Sequence, residues 1–271
     1  MKIWSNTKTL DGLVDDLSFT DNKAEAIIAL IGGKAIDLKD FPRLKGIFKC
    51  GVGRDNVPET EAAACGIACG FPSPGTADII FEETASFACH LILKCLYANA
   101  GDFPAWHKLD RMALSQRNIL VIGTGNIGAR VVAKMKAFAI VHTYDIRTHQ
   151  PEELEPLIRQ ADCISLHMPL NDATRGWFDA KKLAWMKDGA SLVNTARAAV
   201  VPEEALYTEL KTGRIRAAFD VFWQEPYHGK LRELPEERFM VSPHVASTCR
   251  EFVTETAKDF RAFLKTTETG H

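Results

Sequence analysis

The amino-acid sequence predicts an α/β protein with a doubly wound parallel sheet, preceded by a second, smaller α/β unit. Two observations carry this. Short apolar runs of strand length alternate with helical stretches along nearly the whole chain, and in the second half a glycine-rich turn joins one such run directly to a helix.

Taken in order, Lys2-Ile3-Trp4 opens a strand, and residues 26–31 form a buried-strand run closed by Gly32-Gly33. Residues 44–49 are a third run, closed by Gly51-Val52-Gly53. A fourth, residues 67–69, precedes the turn residues Pro72, Ser73, Pro74 and Gly75. Residues 59–64 supply a helix between them. From Thr76 to about Asn99 the chain turns helical, with Asp78, Glu82 and Glu83 early, where acidic groups suit the positive end of the helix dipole. Residues 101–117 are polar and irregular, with Gly101 and Pro104 as breakers. Beyond them the pattern sharpens. Residues 118–123 are a strand, 126–138 a helix and 139–145 the next strand; residues 163–167, 190–194 and 215–220 add three more. Helices around residues 152–160, 180–186 and 203–212 separate these strands, and such crossovers require parallel pairing. A last helix, about residues 250–265, follows the completed sheet and is expected to pack back on the first unit.

With 271 residues, 46% hydrophobic and 25% charged, the chain has material for two domains with real cores. Lys plus Arg number 33 against 35 Asp plus Glu, and no basic block occurs, so the electrostatic footprint of a nucleic-acid binder is missing. The longest apolar-rich run, residues 85–100, is broken by His90 and Lys94 and falls short of the ~20 residues a membrane span needs. The N-terminal residues 1–8 contain no apolar stretch of signal-peptide length. Seven cysteines include no Cys-x-x-Cys pair; Cys65 and Cys69 read as small apolar residues rather than metal ligands. A reduced, cytoplasmic setting without metal is expected.

Gly123-Thr124-Gly125-Asn126-Ile127-Gly128 is a G-x-G-x-x-G. Alone the pattern is weak, but here it follows a strand and opens a helix inside a βαβ unit, the context that a Rossmann-type dinucleotide fingerprint requires. Gly123 makes the tight turn, Gly125 lets backbone approach a pyrophosphate, and Gly128 allows helix to pack on strand. Asp145 ends the next strand about 20 residues on, where a carboxylate accepts hydrogen bonds from the adenosine ribose. Its charge opposes a 2′-phosphate and favours NAD over NADP, a preference that Arg147 softens.

Three polar residues follow strand ends: Arg197 in Asn194-Thr195-Ala196-Arg197, Glu225 in Asp220-Val221-Phe222-Trp223-Gln224-Glu225-Pro226, and His244 in Ser242-Pro243-His244-Val245-Ala246-Ser247. Singly each has a bland reading, as a surface cap, a solvated carboxylate and a satisfied loop histidine. Together with the run Ala161-Asp162-Cys163-Ile164-Ser165-Leu166-His167-Met168-Pro169-Leu170, they resemble the D-isomer-specific 2-hydroxyacid dehydrogenase family in order and spacing. Upstream, Gly51-Val52-Gly53-Arg54-Asp55-Asn56-Val57 is similar to the family's substrate loop, and residues 74–83 to its proline turn and interdomain helix.

The resemblance implies a smaller flavodoxin-like substrate domain (residues 1–77), a Rossmann-type NAD-binding domain (78–248) and a C-terminal helix (249–271) returning to the substrate domain, with the active site in a cleft between lobes. It further implies that Arg197 clamps the substrate carboxylate with its planar fork. His244 is then the acid/base, and Glu225 holds and stabilises the imidazolium. The backbone of Val52 and Gly53 helps bind the carboxylate, and Asp220 holds the nicotinamide carboxamide. Met168, Pro169, Thr174, Thr195, Ala196 and Ala246 line the cofactor. Separately from the resemblance, Lys49, with Lys34 and Arg54, either brings positive charge toward the substrate or, as lysines near strand ends commonly do, faces solvent; a phosphorylated acid and a small one such as glycolate, glycerate or lactate both stay open. A homodimer is implied, although residues 101–117 are briefer than the family's dimer arm. Ala198 and Pro202 also depart from the family pattern, neither touching the chemistry. Tyr207 and Lys211 form the Tyr-x-x-x-Lys of short-chain dehydrogenases, but on an amphipathic helix far from the glycine turn, and read as a solvated face. A rival function, an NAD-sensing, corepressor-like binding protein, keeps the same fold and triad.

Overall fold

In the first half of the chain the apolar runs become four parallel strands: β1 (Ile3–Ser5), β2 (Ile28–Ile31), β3 (Gly46–Lys49) and β4 (Ala68–Gly70), neighbours in chain order. β2 and β3 are buried along their whole length, as strands covered on both faces must be, which is why they read as unbroken apolar runs. One further residue, Phe19, makes a parallel bridge to Ile3 on the free edge of β1. With this bridge counted, the order is the 2-1-3-4-5 of a flavodoxin-like sheet. A lone Phe between Ser18 and Thr20 shows no alternation, so the sequence carries no sign of it. The helix α1 (Glu59–Ala64) leads into β4, and α2 (Pro74–Leu96) begins on a proline, whose missing N–H is no loss in a first turn.

The computed structural model describes residues 1–98 and 100–269. Asn99, where the expected helix ends, and residues 270–271 of the expected C-terminal segment lie outside the described residues. Two compact units emerge, Met1–Ile80 with Thr248–His271, and Phe81–Ser247.

Residues 101–117, expected to be irregular, contain a short antiparallel pair, β5 (Gly101–Asp102) and β6 (His107–Lys108). The sheet of the second unit then forms from β7 (Asn118–Ile122), β8 (Ile140–Tyr144), β9 (Cys163–Leu166), β10 (Ser191–Asn194), β11 (Arg216–Phe219) and β12 (Phe239–Val241). All six are parallel in the order β12-β11-β10-β9-β7-β8. The strand β12 is not foreseen in the sequence: three residues after a charged stretch carry no pattern of their own, and pairing with β11 places them. Helices α3 (Asn126–Met135), α4 (Leu154–Gln160), α5 (Ala180–Trp185) and α6 (Glu203–Thr212) make the crossovers. Alternate side chains enter two cores. Leu120, Ile122, Leu166 and Phe219 join α4, α5 and α6 on one face, while Ile119, Val121, Val193 and Ala218 meet Ala85, Ala88 and Ile92 of α2 on the other.

In the first unit the final helix, α7 (Arg250–Thr269), lays Phe260 and Phe263 against Phe48, ring centroids 5.2 and 5.6 Å apart. A Cβ on Gly46 or Gly70 would stand 2.9 or 2.5 Å from the Phe263 ring, so both strands need glycine beneath it. Among the described residues no helix is long and apolar enough to cross a membrane.

In the second unit the tightest approach is at Gly128, where an added Cβ would lie 1.9 Å from the Gly123 carbonyl oxygen. Gly128→Ala is therefore expected to lower stability by about 1–3 kcal/mol through overpacking, measured by urea denaturation.

Candidate active site

Parallel pairing sends all six strands of the β12-β11-β10-β9-β7-β8 sheet to the same edge with their carboxyl ends, and the loops leaving that edge carry most of the predicted site residues. Residues 123–128 follow β7, Asp145 follows β8, residues 167–169 follow β9, Thr195–Arg197 follow β10, Asp220 follows β11 and residues 242–246 follow β12. The chain order reverses at β7, which has β8 on one side and β9 on the other. Open α/β sheets bind ligands at such a switch point.

At β7 the glycines are required by geometry. Gly123 has φ +90°, and a Cβ there would stand 2.7 Å from the His167 carbonyl oxygen. Gly125 caps α3 without any side-chain bond, and nothing lies within 4 Å of where its Cβ would be. The first turn of α3, with Asn126 and Ile127, thus presents uncapped N–H groups and a partial positive charge to open space. Across the switch point, burial lowers the His167 side chain to a pKa of about 4, so it stays neutral beside the glycine turn; Ser165 Oγ lies 2.8 Å from its Nε2. The Thr195 hydroxyl, after β10, is buried and has no hydrogen-bond partner among the described residues. An open glycine cradle, an uncapped helix start and a spare buried hydroxyl fit a dinucleotide. Met168 packs onto the core, and the Thr174 hydroxyl donates to the Pro169 carbonyl (2.7 Å) while accepting from the Asn171 amide (2.8 Å), which shapes the turn after β9.

Asp145 is buried, at 6% exposure, and accepts from five donors. Thr124 gives its amide (2.9 Å) and hydroxyl (3.0 Å), and Arg147 its amide (3.0 Å), Nε (2.8 Å) and Nη2 (2.7 Å). The Arg147 guanidinium, helped by Thr124 and against the effect of burial, holds the carboxyl far below the usual carboxylate range.

His244 Nδ1 lies 2.9 Å from each oxygen of Glu225, and Glu225 Oε1 also accepts from the Phe222 amide at 3.1 Å. Burial pushes the Glu225 carboxyl up, but the bond and charge of His244, the Phe222 amide and the charge of Arg197 outweigh it and leave it below its ordinary value. His244 itself has φ +55°, a left-handed backbone that costs a residue with a side chain and persists only where its surroundings impose it. Asp220 imposes it. Fully buried, it accepts from Ser242 Oγ (2.6 Å) and the amides of Val245 (2.9 Å) and Ala246 (2.8 Å), gripping the loop on both sides of His244. Burial raises its carboxyl, and these bonds and the His244 charge oppose the rise. The turn at Arg197 has a comparable clamp: the buried Asn194 side chain accepts from the Ala196 amide (2.9 Å) and donates to the Arg197 carbonyl (3.0 Å).

In the first unit, Lys49 is buried at the end of β3 and its ammonium donates to the Gly32 carbonyl, which the Asn56 amide also reaches at 2.8 Å. Val52 and Gly53 sit half-buried in the turn that follows. Arg54 is engaged by Glu59 (3.0 Å) and lies 3.9 Å over the Phe71 ring.

Thr124, Asn194 and Ser242 escaped the reading of the sequence as site residues. Asn194 was detectable, since an Asn that starts a turn bonds backbone two residues on. Thr124 and Ser242 bond carboxylates about 20 residues away and left no local signal.

Comparison with known proteins shows the family and the fold. Residues 97–246 match the family model described as D-isomer specific 2-hydroxyacid dehydrogenase, NAD binding domain. A glyoxylate reductase of Thermococcus litoralis is 32% identical, the alignment covering 90% of this chain and 81% of that one. A hydroxypyruvate reductase of Thermotoga maritima is 33% identical over 77% of this chain and 72% of its own. Among solved structures, a D-lactate dehydrogenase from Aquifex aeolicus, complexed with NAD and lactic acid, matches 100% of this chain and 96% of its own with a TM-score of 0.81; at 23% identity this shows the fold.

Because the folded pKa of Asp145 is depressed, the stability it contributes is full above its unfolded value of 3.8 and is lost as pH falls through the lower folded value. Asp145→Asn is expected to destabilise most at neutral pH, its urea midpoint converging on wild type toward pH 3 and below. A gap that does not change with pH would contradict the ion pair.

Proposed function

Because the chain belongs to the D-isomer specific 2-hydroxyacid dehydrogenase family, we propose that Arg197, His244 and Glu225 carry out the interconversion of a D-2-hydroxy acid and its 2-oxo acid with NAD(H). The chain is an oxidoreductase with an NAD-binding domain. The observation that supports the assignment of residues is the contact of His244 Nδ1 with both Glu225 oxygens. It leaves Nε2 as the ring nitrogen that exchanges a proton with the substrate oxygen, and it places a carboxylate where it stabilises the imidazolium.

The nicotinamide, when bound, supplies or accepts the hydride. The chain's own residues do the rest. Gly123, Gly125, Asn126, Ile127 and Gly128 hold the pyrophosphate, and Asp145 the adenosine ribose. Met168, Pro169, Thr174, Thr195, Ala196 and Ala246 line the cofactor. Arg197 binds the substrate carboxylate bidentately and polarises the 2-oxo group. During reduction His244 gives its proton to the carbonyl oxygen, and during oxidation it takes the hydroxyl proton back. Asp220 holds the loop that carries His244 by accepting from Ser242, Val245 and Ala246, and its remaining acceptor capacity is assigned to the nicotinamide carboxamide. In the first unit the amides of Val52 and Gly53 and the ammonium of Lys49 are assigned to the substrate.

The names of the relatives put glyoxylate and hydroxypyruvate first among substrates. NADH consumption by purified protein, read against glyoxylate, hydroxypyruvate, pyruvate, phenylpyruvate and phosphohydroxypyruvate, tests the reading. Turnover of one member identifies the acid. NADH binding with no turnover on any member would overturn the reading in favour of a sensor. Arg197→Ala is expected to collapse turnover and weaken 2-oxo acid binding while leaving NADH affinity, read by fluorescence, nearly unchanged. His244→Ala should lower kcat about 10²–10⁴-fold.

We also read the protein as a homodimer of the reduced cytoplasm. All seven cysteines are free. The β5–β6 turn presents Phe103 and Trp106 at 81% and 76% exposure, apolar area that a second copy would cover. Trp106→Ser is expected to shift the mass measured by light scattering toward that of the monomer; an unchanged dimer would place its interface elsewhere.

A further inference from the structure

We infer that Tyr227, tied by its hydroxyl to Glu203, is a positioning residue that holds Glu225 in place on His244, given the reading of His244 and Glu225 as the acid/base pair.

The turns at His244 and Arg197 are gripped by Asp220 and Asn194. The segment that carries Glu225 is held by rings at its two ends. At its start, Trp223 Nε1 donates to the Val201 carbonyl at 2.8 Å, and the indole stacks on Phe219 of β11, centroids 5.9 Å apart. At its end, the Tyr227 ring lies on Phe222, centroids 4.9 Å apart and planes at 23°. Phe222 is also the residue whose amide donates to Glu225. The stack therefore closes the segment on itself, with Glu225 between the two rings and its carboxylate on the amide of one of them.

The closing ring is anchored by its hydroxyl. Tyr227 Oη donates to Glu203 Oε1 at 2.6 Å and accepts from the Leu231 amide at 3.2 Å. Burial, and then the bond to Glu203, push the hydroxyl up against the effect of the Leu231 amide, so it keeps its proton and remains the donor. Glu203 is the first residue of α6, a rigid element. The chain passes the bond at Gly229, where a Cβ would stand 2.5 Å from Glu203 Oε1 and closer still to Tyr227 Oη. Glycine at this position leaves the bond its room.

Stacking on Phe222 requires a ring and no more, and phenylalanine would supply it. The hydroxyl adds a charge-assisted bond of fixed direction, which sets where the ring lies and with it the Phe222 amide. Contacts run without a gap from α6 through Glu203, Tyr227, Phe222 and Glu225 to His244 Nδ1. Tyr227 touches neither oxygen of Glu225 in this series. It acts through the segment that presents them.

The test is steady-state reduction, by NADH, of the 2-oxo acid in the panel above that wild type reduces fastest, with urea midpoints measured alongside. Tyr227→Phe is expected to lower kcat about 10- to 100-fold, as misplacement of a catalytic group does. KM for the acid and Kd for NADH should stay within about twofold, since binding is not what the bond serves. Glu203→Ala should do the same, and the double variant should be no slower than either single one, because both delete one bond. Glu203→Gln keeps an acceptor for the hydroxyl and should recover most of what Glu203→Ala loses. In a Glu225→Gln background, Tyr227→Phe should lower kcat no further. A lower urea midpoint with kcat unchanged would overturn the inference and leave the bond a purely structural one. An undiminished effect of Tyr227→Phe on top of Glu225→Gln would overturn it too, because the route would not pass through Glu225. Wild type that binds NADH and reduces no acid of the panel would overturn the acid/base reading itself, and this assignment with it.

Discussion

Parallel pairing of six strands in the second unit is the constraint on which the rest depends. It puts six carboxyl ends on one edge, and so gathers loops from residues 123 to 246 that have nothing in common in sequence. Parallel strands require crossovers, the crossovers cover both faces, and both faces must then be apolar. The two cores that result leave polar residues one place to go, the loops beyond the strand ends. The concentration of Asp145, Arg197, Asp220 and His244 at that edge follows from packing before any question of chemistry arises.

Within the edge, two buried side chains turn loops into fixed geometry. Asp220 and Asn194 are fully buried at the ends of adjacent strands, and each spends its polar atoms on backbone of the loop next to a proposed reacting residue. Burying a carboxylate is costly unless its oxygens are satisfied, and the 242–246 loop satisfies them in a conformation that gives His244 a positive φ. The strain at His244 and the burial of Asp220 are thus one bargain. Asp145 shows the contrasting case: it too is buried, yet part of its compensation comes from an exposed arginine.

The first unit shows how little sheet a fold of this kind tolerates. Its edge strand is reduced to Phe19, and the face of β3 and β4 is covered by Phe260 and Phe263 from the far end of the chain, over Gly46 and Gly70. A small sheet with so few helices of its own gains its cover from α7.

Composition, the period of apolar residues and the turn chemistry were enough to identify β1–β4, β7–β11 and the seven α-helices, the G-x-G-x-x-G turn and the ordered motifs that carry the family resemblance. These are local properties: a β-run, a helix start or a glycine with positive φ is dictated by residues a few positions apart. The tertiary structure alone decided the rest, because each remaining feature is a pair of residues distant in sequence. β12 exists through its register with β11, and Phe19 through Ile3. Gly123 has to be glycine because of the His167 carbonyl, and His244 keeps its backbone because of Asp220. Arg147 is near Asp145 in sequence, yet a fork closed over both carboxylate oxygens is a matter of side-chain geometry that spacing does not encode. Local forces write the elements into the chain; contacts across the fold determine which polar groups meet.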